Sequence, residues 1–241
     1  SMKVLLEIRC RDSEPVLEEM VQVAAKTHKV RMILELPKSS EELWSQFRTK
    51  TRTKIRRPAK DGIYFKSGHM DLLNDFYQVM CINMRDLGSP VHSKGWFASI
   101  VKEYRENVLI GMLYKEQTPV SGGIIMCCGN TVTIPWSSTI KDYNHLNPNM
   151  FLYWEFLKYS SDNGYKHFDF GRSSPGEGTY VFKQQWGAKP YLLYWYANNL
   201  KKDEQEDSHS QVRAYAEKIW SRIPQSMTDT VGPIVRRFIT L

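Results

Sequence analysis

The chain has 241 residues, of which 41% are hydrophobic and 24% are charged, and its formal net charge is +7. A chain of this length can form one large domain or two small domains, each with a buried core. No apolar run approaches the roughly 20 residues of a membrane span, and no secretory signal peptide is recognisable. The positive charge favours an anionic partner, such as a phosphate, a nucleotide-linked substrate, RNA or an acidic membrane face.

Cysteines and histidines are scattered along the chain without the spacing of a metal site. The adjacent Cys127 and Cys128 would point to opposite faces of a strand, so a disulfide between them is not expected. We therefore predict that the protein holds no metal ion and works in a reducing, cytoplasmic compartment.

Apolar periodicity at the start of the chain predicts a strand, a helix and another strand, at 3–9, 14–28 and 30–36. A further helix then begins, with Ser39 or Ser40 as its N-cap. Its apolar stripe continues as far as Ile55, and Pro58 should kink or end it, because proline cannot donate a backbone hydrogen bond.

The second half of this helix is strongly basic. On a helix the six cations would form two rows beside the apolar stripe, where like charges repel unless an anion relieves them. Two interpretations stay open, an anion-binding surface or a solvated basic face. The cations are Lys50, Arg52, Lys54, Arg56, Arg57 and Lys60.

The rest of the chain alternates between predicted strands and helices. Gly122 and Gly123 lie inside an apolar strand, which indicates a bulge or a close approach of the backbone. Gly129 and Asn130 form a two-residue hairpin turn, and Asn147 caps a later helix. The predicted strands are 63–66, 108–114, 120–128, 131–139, a short one from 168, and 191–196, and the predicted helices are 71–86, 96–105, 147–163, 210–222 and 231–239.

A glycine-rich turn links the strand from Phe168 to a short helix that carries Lys183. A strand that ends in acidic and basic residues before such a turn often places charged groups at a cleft. The alternative is that Asp169 only caps the turn and that Lys183 is a solvated helix residue.

This order of elements predicts an α/β (α+β) fold, a mixed sheet with helices on both faces. It resembles the acyltransferase fold of the GNAT type, in which the acyl donor lies where the fourth and fifth strands part. Members that use acetyl-coenzyme A hold its pyrophosphate on a glycine-rich turn at a helix start. The corresponding turn here, 141–149, has no glycine and contains a proline, which argues against that donor.

Several short motifs, spread over residues 40–195, resemble the FemAB-like (peptidoglycan bridge-forming) aminoacyltransferases, closest to the exopolysaccharide and exosortase-associated branch. That family has two GNAT-like halves. The resemblance implies a remnant of the first half at 1–38, a GNAT-like domain at 39–200 and a helical extension at 201–241. The motifs are Lys50–Arg57 with Lys60–Gly62, Met84–Val91, Asn147–Asn149, Asp169–Ser173 and Gly178–Lys183 with Trp186–Gly187.

The same resemblance implies roles for individual residues. Lys183 matches the lysine at the reacting centre, where it would stabilise oxyanion charge. Asp169 would orient or deprotonate the attacking amine, or it is a structural partner of Arg172. The remaining substrate-binding candidates are Arg52 and Arg56 toward phosphates, Trp136 on a strand that faces the substrate, and Asn149, Arg172, Tyr180 and Phe182.

We therefore expect an acyltransferase that moves an aminoacyl or other acyl group to an amine or hydroxyl of a nucleotide- or lipid-linked envelope or exopolysaccharide precursor. The expected donor is aminoacyl-tRNA, with acetyl-coenzyme A second, and no further cofactor. The expected partners are a phosphate-bearing acceptor, tRNA and the inner membrane face by peripheral contact. Two alternatives stay open: an inactive GNAT-like module that binds RNA or anionic glycan, and a coenzyme A-dependent N-acetyltransferase.

Overall fold

The computed structural model describes residues 7–10, 28–197 and 214–239. The chain forms two compact units, a first unit of 1–34 with 169–213 and a second unit of 35–168 with 214–241. Almost all of the predicted helix at 14–28 lies outside the described residues. The domain boundaries expected from the sequence stay a prediction.

Strands and helices alternate along the described chain and confirm the predicted α/β class. The strands are β1 (Glu7–Cys10), β2 (Val30–Glu35), β3 (Ile63–Gly68), β4 (Val108–Lys115), β5 (Thr118–Cys128), β6 (Thr131–Thr139), β7 (His167–Ser173), β8 (Lys189–Leu192) and β9 (Tyr194–Ala197). The helices are α1 (Ser40–Gln46), α2 (Thr49–Lys60), α3 (Leu73–Asp86), α4 (Lys94–Tyr104), α5 (Pro148–Asp162), α6 (Gly178–Gln184) and α7 (Gln225–Arg236), and 214–220 is also helical.

The single helix predicted after Ser39 is two helices, α1 and α2. Ser39 caps α1 as expected, since its side chain accepts a hydrogen bond from the Glu42 backbone N–H. The prediction of one continuous helix is wrong at Phe47, where the backbone adopts an extended conformation and the ring lies in the core. Pro58 does not end α2 either, because it lies in the last turn, where its missing N–H costs one hydrogen bond only.

The second unit is built on four antiparallel strands in the order β3-β4-β5-β6. Glycines allow the sheet to meet α5 closely: a Cβ on Gly111 would lie 2.6 Å from the Phe156 ring, and one on Gly123 would lie 3.0 Å from it. The close approach predicted inside β5 is therefore confirmed, and the register also shifts between Ile124 and Met126.

In helix α4 the apolar periodicity of the sequence does not correctly predict which residues are buried. Helical spacing within the predicted 96–105 segment puts the apolar residues Trp96, Ile100, Val101 and Tyr104 on one face. In the structure Trp96 and Tyr104 are exposed, and the buried residues are Phe97 and Val101. The helix begins at Lys94, after the Ser93 cap, two residues earlier than predicted. Phe97 joins the core that α3 forms with β4 and β5.

In the first unit the strand order is β7-β2-β8, and β1 pairs separately with β9 in an antiparallel ribbon. The strand predicted at 191–196 is thus two strands, because the chain breaks at Leu193, whose N–H donates to the Lys29 carbonyl. Trp186 and Tyr196 are fully buried and form the core of this unit with Met32 and Phe170.

The C-terminal segment belongs to the second unit. The helix predicted at 231–239 begins earlier, at Gln225, and ends at Arg236, and the described part of the helix before it covers 214–220. Within the described residues, no helix is both long enough and apolar enough to span a bilayer.

Candidate functional site

Lys183 is a buried ammonium in the last turn of the short helix α6. Only 8% of the side chain is exposed, and Nζ donates to the carbonyl oxygens of Arg172 at 2.7 Å and Gly171 at 3.3 Å. Burial lowers its pKa to about 8; the Asp169 carboxylate opposes this shift, and the charge of Arg172 adds to it. The alternative of a solvated helix lysine is wrong.

The end of β7 explains how one ammonium reaches two consecutive carbonyls. In a regular strand successive carbonyls point in opposite directions. Gly171 breaks this alternation with a φ of +77°, a conformation that costs a glycine little and other residues more. The carbonyls of Gly171 and Arg172 can therefore both accept from Lys183.

Asp169 is buried, with 2% exposed, and both of its carboxylate oxygens are bonded. Oδ1 accepts from the Gly171 N–H at 2.8 Å, and Oδ2 accepts from the guanidinium of Arg31 on β2. The sequence had suggested Arg172 as its partner, whereas the ion pair described is with Arg31. Arg31 was missed because 138 positions separate it from Asp169, although a cation inside an apolar strand is itself a signal.

Cationic groups outnumber acidic ones around the end of β7. Lys29 Nζ donates to the Ser174 hydroxyl, and the Arg172 guanidinium lies 5.8 Å from the centre of the Trp195 ring. The hydroxyl of Ser173 is buried and finds no hydrogen-bond partner among the described residues. Together with Arg31 and Lys183, these cations lie on or beside the end of β7, an arrangement that favours an anionic ligand or developing negative charge.

The two aromatic candidates of the first unit lie beside Lys183 on α6. Tyr180 and Phe182 are half-buried, and the Phe182 ring packs edge-on against Trp186 at 6.2 Å. Trp186 is fully buried, so it anchors the helix to the core of this unit. The structure thus brings Lys183, Asp169, Arg172, Tyr180 and Phe182 together within one unit.

In the second unit, the basic face predicted for α2 is present. Arg52 is half-buried and forms no ion pair with the described residues, while the Arg56 guanidinium lies over the Trp44 ring at 4.9 Å. Arg57 differs, because its Nε lies 3.5 Å from the Asp61 carboxylate. Arg52 and Arg56, the predicted phosphate-binding residues, are thus cations of this helix without an ion pair to a described carboxylate.

Trp136 on β6 belongs to an aromatic group that the sequence did not reveal. Its ring lies 5.2 Å from that of Trp96, and His92 stacks on Trp96 at 4.1 Å. Arg236 of α7 donates from Nε to His92 Nε2 at 3.2 Å. The side chain of Arg236 is buried.

The contact with Arg236 determines the protonation state of His92. Burial and the Arg236 charge lower the pKa of His92, so the ring is neutral and its Nε2 lone pair accepts the bond. Burial also lowers the pKa of Arg236. Among the described residues no carboxylate pairs with this guanidinium.

The turn before α5 was expected to lack a pyrophosphate cradle. Residues Lys141–Leu146 form a 3₁₀ helix, and Asn147 occupies the predicted N-cap position of α5. It does so in a left-handed conformation, and its side chain makes no cap hydrogen bond. Pro148 opens α5 without an N–H, and Asn149 accepts from Thr139 through Oδ1 at 2.6 Å. Such a turn offers few free N–H groups to a coenzyme A pyrophosphate.

No cluster of three or more potential metal ligands occurs in the part of the chain that the structure describes. The candidate functional groups are the Lys183 ammonium with its carbonyl partners, the basic face of α2 and the aromatic group at Trp136.

Comparison with known proteins shows that this chain contains the domain of an acyltransferase. The profile of the family described as acetyltransferase (GNAT) domain matches residues 45–184, more than half of the chain. The chain therefore belongs to the GNAT acetyltransferase-domain family. A search of curated proteins finds no match.

Solved structures share the fold at low sequence identity. FemX is 13% identical with a TM-score of 0.63, and the match covers 87% of this chain and 74% of FemX. A C-terminal DUF2156 domain from Agrobacterium fabrum, assigned to a lysylphosphatidylglycerol synthetase, is 14% identical with a TM-score of 0.58, covering 83% and 69%. L-PGS from Bacillus licheniformis is 14% identical with a TM-score of 0.51, covering 83% and 67%. These matches support the predicted GNAT-like fold.

Proposed function

We propose that this protein transfers an aminoacyl group, or a similar acyl group, from an ester donor to an amine or hydroxyl of a phosphate-bearing precursor. The observation that carries the proposal is Lys183, a buried ammonium held by two carbonyl oxygens at the end of β7. A cation that is desolvated and fixed before the reaction stabilises developing negative charge better than a solvated one.

Membership of the GNAT family supports acyl transfer in general. The likeness to FemX and to lysylphosphatidylglycerol synthetase domains supports transfer of an aminoacyl group in particular. The name of the synthetase describes a product in which a lysyl group is attached to phosphatidylglycerol. On this basis we place the chain among FemAB-like enzymes. An exopolysaccharide or other cell-envelope precursor in the cytoplasm is the acceptor that we propose, presented as a nucleotide- or lipid-linked sugar.

The proposed reaction forms one bond and breaks one. The acceptor nitrogen or oxygen attacks the carbonyl carbon of the donor ester, and the carbonyl oxygen takes up negative charge. The Lys183 ammonium stabilises this oxyanion. The bond between the carbonyl carbon and the donor's ester oxygen then breaks, and the proton lost by the acceptor passes to the leaving oxygen.

Asp169 serves this step as a positioning residue in our proposal. Both of its carboxylate oxygens are engaged, by Arg31 and by the Gly171 N–H, so it is poorly placed to take a proton from the acceptor. Its charge instead supports the protonated form of Lys183 by opposing the effect of burial.

The other candidates would bind substrate. Arg52 and Arg56 offer charge to the acceptor phosphates. Trp136 and its aromatic neighbours offer flat apolar surface to a sugar or base. The remaining residues to which we assign substrate contacts are Asn149, Arg172, Tyr180 and Phe182.

We propose aminoacyl-tRNA as the donor, and acetyl-coenzyme A is the rival that the family name favours. The turn at Lys141–Leu146 with Pro148 speaks against the rival, because it presents neither glycines nor a free N–H at the first helical position. The tRNA would add phosphates, which the positive net charge of +7 suits.

Replacing Lys183 with alanine tests the central claim. Transfer from an aminoacyl-ester donor to a phosphate-bearing amine should fall at least about a hundredfold, the typical loss when one oxyanion donor is removed. The variant must keep the parent's circular dichroism spectrum. Replacing Lys189, an exposed lysine of β8, with alanine provides the control, and equal loss in both variants would remove the assignment.

A thermal-shift screen separates the rival functions, since a ligand that binds only the folded state raises the melting temperature. Aminoacyl-tRNA mimics and nucleotide sugars should raise it, and coenzyme A should not. Salt-dependent RNA binding without acyl turnover would instead favour an inactive binding module.

A further inference from the structure

Helix α7 buries a face of small and polar residues and exposes an apolar face, the reverse of an ordinary surface helix. Its buried residues are Thr228, Gly232 and Arg236, which are small or polar and follow one another every fourth position. Gly232 packs against Val91 and Trp220, so this polar face is the one directed at the rest of the second unit. An ordinary surface helix buries its apolar stripe instead.

The opposite face carries large apolar side chains that are exposed. Met227, Val231 and Ile234 follow at spacings of four and three, which places them on one line along the helix, and Phe238 continues the line just beyond its end. Phe238 is 83% exposed and Val231, the least exposed of the four, is 43% exposed. We call these four residues the apolar stripe of α7.

The exposed charges that flank this stripe along the chain, within 214–239, are positive. Lys218 and Arg222 precede α7, Arg237 follows it, and all three side chains are exposed. The two acidic residues of 214–239, Glu217 and Asp229, are only half-exposed, and Asp229 accepts from Gln225 at 2.6 Å. An exposed apolar stripe with a cationic border matches an anionic lipid surface, into which apolar residues insert while lysine and arginine meet the head groups.

We propose that the apolar stripe of α7 docks the protein on the surface of an anionic phospholipid bilayer. The helix would lie in the interface, with Met227, Val231, Ile234 and Phe238 among the upper acyl chains and the cations at the phosphates. The proposal stands independently of the acyl-transfer function, because it rests on exposure and charge in the second unit alone.

Vesicle flotation of the full chain tests this directly. The protein should float with vesicles in which about a third of the lipid is phosphatidylglycerol, and much less with pure phosphatidylcholine. Raising the salt concentration should weaken the binding, because salt screens the attraction between the cations and the head groups.

Two sets of substitutions separate the apolar and the charged contributions. V231S/I234S/F238S should lower vesicle partitioning at least about tenfold, and K218Q/R222Q/R237Q should reduce it and remove the salt dependence. M70S/Y104S also replaces exposed apolar residues of the second unit, on elements other than α7, and should bind like the parent. Thermal unfolding of all three variants checks that each is folded.

Three outcomes would overturn the proposal. The first is equal binding by the parent and the folded V231S/I234S/F238S variant, and the second is equal binding to charged and neutral vesicles. The third is a parent that ignores vesicles but sediments as a dimer, which V231S/I234S/F238S converts to a monomer, since the stripe would then cover a second copy of the chain. Loss of acyl transfer in Lys183→Ala with vesicle binding intact would keep the two proposals apart.

Discussion

The ammonium of Lys183 lies 2.7 Å from the carbonyl oxygen of Arg172, one residue before the end of β7. This contact joins a helix to a strand end across eleven positions of sequence and holds a cation where little water reaches it. Hydrogen bonds to carbonyls compensate part of the cost of burying the charge, and the lowered pKa of Lys183 shows that part of the cost remains.

The buried charge of Lys183 predicts how stability depends on pH. Folding lowers its pKa from 10.5 to about 8, so between these values the unfolded chain binds more protons than the folded one. The free energy of unfolding should therefore rise with pH through this window, by about 1–3 kcal/mol from this residue. Urea unfolding at several pH values measures it, and Lys183→Met should flatten the rise. An equal slope in both proteins would contradict the prediction.

Replacing Asp169 with asparagine should act on both stability and activity. The variant leaves the Arg31 guanidinium without its carboxylate and should lose about 2–4 kcal/mol of unfolding free energy. It also removes the charge that supports protonated Lys183, so activity should decline at a lower pH than in the parent.

A double-mutant cycle with Arg31→Met isolates the ion pair, because the second substitution should cost less once Asp169 is already changed. The alkaline limb of the pH–rate profile reports on Lys183. An unchanged limb in Asp169→Asn would show that this carboxylate does not act through the lysine.

The basic face of α2 predicts a selective effect on acceptor binding. Arg52→Gln should raise KM for a phosphate-bearing acceptor about tenfold, because a charge-assisted hydrogen bond is lost, and should change kcat much less. Arg57→Gln is the matched control, since Arg57 lies beside Asp61 and has less charge to offer. Initial-rate kinetics at two salt concentrations decide the matter, and equal KM values for the two variants would exclude a specific role for Arg52.

The packing of α5 on the sheet predicts an intolerant glycine. A methyl group on Gly111 would meet the Phe156 ring at 2.6 Å, so Gly111→Ala should destabilise the fold by about 2–3 kcal/mol. Gly95→Ala places the same methyl group on α4, where the nearest atom is 4.0 Å away, and should be neutral or stabilising by up to about 1 kcal/mol. Chemical denaturation compares the two, and similar stabilities would refute the close packing.

Much of the fold could be predicted from residues that are close together in the sequence. Ser39 at the start of α1, the hairpin at Gly129 and Asn130, and the α/β order itself follow from turn residues and periodicity, which act within a few positions of sequence. The glycine-rich turn after an apolar strand singles out Lys183 as a candidate, and its role comes from the resemblance to the FemAB-like family.

Only the tertiary structure decided which faces are covered and which distant charges meet. Periodicity shows that residues share a side of a helix, but not what lies against that side, so Phe97 was missed and the inverted burial of α7 was invisible. Arg31 and Asp169 are brought together by neighbouring strands of one sheet, and nothing within reach of either residue along the chain encodes the other. Sequence patterns act over a few residues, whereas burial and ion pairing are set by what the folded chain brings into contact.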